Sequence, residues 1–131
     1  MQVIKFRGKI IDDPSGHWLF GDLRHTSDSV EIISLATTGD AAKVSPETVG
    51  QYVGLKDRKD TEIYEGDIVQ SDKYTYVVVY NAHYASFGLC REQDAFLHYF
   101  GEALYADECE VIGNVYDNPD LAKKVLGEKA I

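Results

Sequence analysis

The chain has 131 residues, of which 44% are hydrophobic and 27% charged, and its net charge is −9. A single soluble domain of this length buries roughly two-thirds of its unfolded surface and needs no metal or disulfide staple. The acidic balance repels phosphate backbones and anionic lipid. It excludes a protein whose whole surface grips DNA or a membrane, and leaves room only for a local basic patch.

Taken in chain order, Ile4-Lys5-Phe6-Arg7 alternates apolar and basic residues, the pattern of a half-buried strand. Gly8 is placed to bulge it and Ile10-Ile11 to continue it, before a turn-rich loop at 12–16. The run from His17 to about Leu23 predicts a second strand, with Trp18 as an anchor at the core or its edge. Residues 24–29 read as a loop and Val30 to Leu35 as a β-branched strand. The segment 36–43 reads as a flexible connection or a ragged edge.

The stretch from Val44 to Val69 organises the middle of the chain. Ser45-Pro46-Glu47 carries a cap, a first-position Pro and an acid for the dipole, and predicts a short helix at about 46–52 ending at Gly54. Asp57-Arg58-Lys59-Asp60 has the length of a hairpin tip, with Thr61 to Tyr64 as the return strand. Glu65-Gly66-Asp67 is a second tight turn, leading into a strand at Ile68-Val69.

The run from Tyr74 to Asn81 is the strongest strand signal; its two apolar faces place it centrally in a sheet, with Tyr76, Val78 and Tyr80 on one side and Val77 and Val79 on the other. Ser86 to Cys90 is its hairpin partner. Residues 92–106 fit a helical stripe through Phe96, Phe100 and Leu104, or a strand face through Phe96, His98 and Phe100; Gly101 tips the balance towards irregular or extended structure with room for a short helix. Cys109 to Tyr116 predicts a strand with a bulge or close approach at Gly113. Asn118-Pro119-Asp120 starts a helix at about 119–126, which Gly127 ends.

The runs ETVGQYVGLKD, EIYEGDIV and EVIGNVYDNPDL (residues 110–121), in that order, together with IKFRGKI and WLFGDL nearer the start, resemble the YopX family of small phage and prophage proteins. The usual Asn-Gly or Asp-Gly of the hairpin tip is replaced here by Lys59-Asp60. The resemblance implies one YopX-like domain over 1–131 in a bacterial host cell. It brings no biochemical activity, and therefore no catalytic or binding residue. The expected fold is mainly β: a small, partly open β-barrel or a curled antiparallel sheet with the two short helices.

Chemistry is sparsely signalled. The sequence has no phosphate-binding loop, dinucleotide fingerprint, nucleophile elbow, HExxH or CxxC, so neither a catalytic site nor a cofactor is expected. Cys90, His98 and Cys109 could supply three zinc ligands, but at no structural zinc spacing, and no metal is expected. His17 and His25 flank Asp22, which would allow a His–Asp general base, yet the two histidines lie at opposite ends of one strand. Lys5, Arg7 and Lys9 around Phe6 form a basic–aromatic cluster with a footprint of roughly two or three phosphates. Arg58, Lys59 and Lys73 could join it.

These features predict a non-enzymatic module that binds an unidentified protein or assembles with itself, since the edges of a small open sheet must be covered. The alternative is a nucleic-acid-binding module using Lys5, Arg7 and Lys9. A third expectation is an acidic competitor for a host DNA-binding protein. No apolar run is long enough for a membrane span and no signal-peptide pattern opens the chain, so the expected location is the cytoplasm, with reduced cysteines.

Overall fold

Lys5, Arg7 and Lys9 alternate with Phe6, Gly8 and Ile10, and this period of two sets up the first sheet. The structure is a computed structural model describing residues 1–36, 39–91, 98–101 and 104–127. It is mainly β, and the chain divides into two compact units, Met1–Gly54 and Leu55–Ile131.

In the first unit the strands are β1 (Phe6–Lys9), β2 (Trp18–His25), β3 (Val30–Ser34), β4 (Ala41–Lys43) and β5, which begins at Gly50 and runs to Lys56. They pair antiparallel in the order β4-β3-β2-β1-β5. Ile32 and Val44 are fully buried beneath this sheet. Gly8 makes room for Val44: a methyl group there would lie 2.9 Å from the Val44 side chain.

The helix expected at 46–52 is instead a single 3-10 turn, Pro46–Thr48. Ser45 and Pro46 do start a helical turn. However, Val49 is already extended, and the β1 register takes Gly50 opposite Arg7 and Gln51 opposite Phe6. Cross-strand pairing outweighs the local signal of the cap.

The second unit opens on the hairpin tip at 57–60. Asp60 takes the left-handed φ of 65° that Gly or Asn would take more readily. The strands β6 (Glu62–Tyr64), β7 (Asp67–Gln70), β8 (Thr75–Asn81), β9 (Ser86–Cys90) and β10 (Glu110–Asn114) follow, then helix α1 (Pro119–Leu126). Four of them form an antiparallel sheet in the order β10-β7-β8-β9, with β8 in the interior as its two apolar faces require. On one face Ile68 and Val77 are sealed by Ala122 of α1, with Val79, Val115, Leu121, Val125 and Leu126 packed around them. On the other face Val69, Tyr76, Val78 and Leu89 are each 3% exposed or less.

The barrel expectation is corrected: the described strands form two antiparallel sheets and no closed barrel. In the four-stranded sheet the outer strands do not reach each other because their edges are already used. Leu89 of β9 exchanges both backbone bonds with His98 (2.6 and 2.9 Å). On β10, Val111 donates to the Asp57 carboxylate (2.8 Å), and Cys109, just before the strand, accepts from the Arg58 N–H (3.0 Å). At these positions the chain covers its own edges, so the edge argument for self-assembly loses its premise there.

β10 carries the bulge signalled by Gly113, between Val111 and Gly113. A side chain at Gly113 would meet the Asn118 Oδ1 at 2.5 Å. That oxygen accepts from the Asn114 N–H (3.1 Å) rather than capping α1. Within 92–106, residues 92–97 and 102–103 lie outside the described residues, and Ala106–Glu108 is a 3-10 turn. Among the described residues no helix is long and apolar enough to cross a membrane.

Candidate functional site

The sequence-predicted basic cluster lies on one face of β1, as alternation requires, but it is not a free cationic patch. The Arg7 guanidinium stacks 4.6 Å from the centre of the Trp18 ring and the residue is only 7% exposed. Lys9 reaches the same ring at 5.6 Å, and Lys5 lies 5.3 Å from the Tyr52 ring. The register explains this: Lys9 is opposite Trp18 and Arg7 opposite Phe20. Arg7 is therefore spent on packing, and Lys5 and Lys9 beside it are half-buried. Arg58 and Lys59, in the second unit, both pair with Glu110 (3.0 and 2.8 Å). Those two cations hold the Glu110 carboxyl below its ordinary value.

The candidate catalytic and metal groups are placed elsewhere in the fold. His17 pairs with Asp13 (2.9 Å) and not with Asp22. The Asp13 carboxylate is held below its usual range chiefly by the Ser15 N–H, as part of a turn. Burial pushes the Cys109 thiol up to about 11, so it is protonated at neutral pH and donates to the Ala106 carbonyl (3.3 Å). Neither Cys90 nor Cys109 is in a disulfide, and no group of three metal-ligating side chains comes together among the described residues.

A site that the sequence did not signal lies in the second unit. β8 has seven residues and α1 eight, so a helix about 12 Å long is set against a strand about 23 Å long. The helix covers part of the Val77/Val79 face, and beside it a groove of about 440 Å³ stays open. Val77, Val79, Val115, Pro119, Ala122 and Leu126 line it with apolar surface. Glu65, Tyr80, Tyr116 and Lys123 complete it, with Tyr80 and Lys123 exposed. The volume falls in the range of sites that take a small ligand or a partner's side chain. The signal available in the sequence was length alone: a helix ended by Gly127 after two turns is too short for the strand it covers.

A model of the family described as YopX protein matches residues 5–123, which takes in most of both units. No curated protein matches the chain.

Proposed function

We propose that this chain, which belongs to the YopX family, is a non-enzymatic protein-interaction module whose contact site is the groove beside α1. The observation that carries the reading is apolar surface left open where a core would be closed: Val79, Val115 and Leu126 pack against the buried cluster yet are only partly buried, beside a cavity of about 440 Å³. Inserting an apolar side chain there would remove that surface from water, the commonest source of binding energy at a protein interface. The phage or prophage setting, and a site of action in the bacterial cytoplasm, are part of the same proposal.

The test is an affinity pull-down from bacterial lysate, with and without nuclease, using the wild-type chain and Val79→Asp. A carboxylate placed in the groove would be desolvated without a partner. Protein bands that survive nuclease and are lost with Val79→Asp are the expected result, with circular dichroism checking that the variant is folded. Bands retained by a folded Val79→Asp would remove the groove from the proposal.

One observation favours a second reading, a nucleic-acid-binding module: Lys5 and Lys9 share a face with the Trp18 and Tyr52 rings. On this reading Lys9→Glu weakens binding to a single-stranded oligonucleotide and lowers the salt slope by about one ion. Arg7→Glu is a poor test, because it would bury a carboxylate against Trp18 and unsettle the sheet. Equal affinity and equal salt slope in Lys9→Glu would discard the reading.

A further inference from the structure

We infer that the partner segment received by the groove is cationic, with an apolar side chain as its anchor and Lys or Arg on either side; this rests on the interaction reading above and names the chemistry of its partner. The groove fixes the anchor, since Val79, Val115 and Leu126 offer apolar contact above a floor of Val77 and Ala122.

Charge fixes the flanks. The second unit carries fifteen acids against eight bases, while the first carries seven against five, so most of the −9 belongs to the unit that holds the groove. The lining itself includes Glu65. Tyr116 and Pro119, both lining residues, are followed in sequence by the exposed Asp117 and Asp120. Of the basic residues, Lys123 lines the groove and Lys124 follows it on α1. A field of this sign attracts a basic segment and turns away an acidic one before any contact forms.

The test uses three labelled fifteen-residue peptides and fluorescence anisotropy. The first has a central Leu-Phe pair flanked by lysines. The second has the same anchor flanked by glutamates. The third keeps the lysines and replaces the anchor by serines. The expected order places the first at least about tenfold tighter than either control, with a loss of affinity as salt rises. The decisive variant is Lys123→Trp, at an exposed helix position, with circular dichroism checking its fold. It hangs an indole over the groove and also removes a positive charge. Anchor insertion predicts at least a tenfold loss; attraction by charge alone predicts equal or tighter binding, which would overturn the inference.

Equal binding of the lysine and glutamate peptides would also overturn it. If all three peptides fail while Lys123→Trp still loses nuclease-resistant partners in the pull-down, the cationic chemistry falls and the interaction reading stands. If light scattering shows a wild-type oligomer that Lys123→Trp converts to monomer, the groove belongs to a second copy and the inference falls.

Discussion

Replacing Gly21 by Ala is expected to destabilise the chain by about 4 kcal/mol or more, a large share of the stability of a domain this size. Gly21 lies in β2, opposite Phe6 on one side and Ser34 on the other. A methyl group there would overlap the Ile33 carbonyl oxygen and sit 2.8 Å from its carbon. The obstacle is backbone held in register on both sides, so no rotamer change relieves it. Gly8 provides the internal comparison. Its added methyl would meet a side chain, Val44, at 2.9 Å, and Gly8→Ala should cost less, about 1–3 kcal/mol. Urea denaturation followed by tryptophan emission measures both, because Trp18 is the only Trp and lies in β2. A Gly21→Ala midpoint within about 1 kcal/mol of wild type would mean that β2 and β3 do not pair in this register.

Most of the strands were legible because their causes are local. Alternation around Lys5, the β-branched run at Val30, the two-faced run at Tyr76 to Tyr80 and the turn at Gly66 need no knowledge of the rest of the chain. The α1 helix was legible for the same reason, through Pro119 at one end and Gly127 at the other, although Asn118 spends its side chain on Asn114 and not on a cap bond. What failed depended on partners far away in sequence. Ser45 and Pro46 do open a helical turn, although the Ser45 hydroxyl donates to Glu47 and makes no cap bond, and Gly50 and Gln51 are claimed by β1 more than forty residues earlier. Arg7 read as a cation for phosphate until Trp18, across the register, covered it. The groove depends on where α1 lies along β8, and Asp57 read as a loop residue although its carboxylate reaches Val111. The sequence specifies each of these through packing, which periodicity does not display.

Asp57→Asn should lower the stability of the second unit by about 3 kcal/mol at pH 7, nearly as much as Asp57→Ala, despite near-identical shape. The carboxylate is only 6% exposed and accepts three backbone N–H groups: Lys59 and Thr61 on one oxygen (2.9 Å each) and Val111 on the other (2.8 Å). An amide has one acceptor oxygen. If it keeps the tip, its NH₂ faces the Val111 N–H, donor against donor. Burial pushes the Asp57 carboxyl up, but the N–H groups of Val111, Thr61 and Lys59 outweigh it and leave it below its ordinary value. A depressed carboxyl stabilises the fold fully above its unfolded pKa, about 3.9, and loses that contribution as pH falls through the folded value. The gap between wild type and Asp57→Asn, read from urea midpoints, should therefore be widest at pH 5–7 and narrow below about pH 4. Glu110, also held low by Lys59 and Arg58, leaves the variant an acid slope of its own, so the gap rather than the variant's curve is the diagnostic. The same substitution uncovers the Val111 N–H on the edge of β10, and aggregation on refolding should rise with it. A gap that stays constant from pH 7 to pH 3 would show that Asp57 acts through shape and not through its charge.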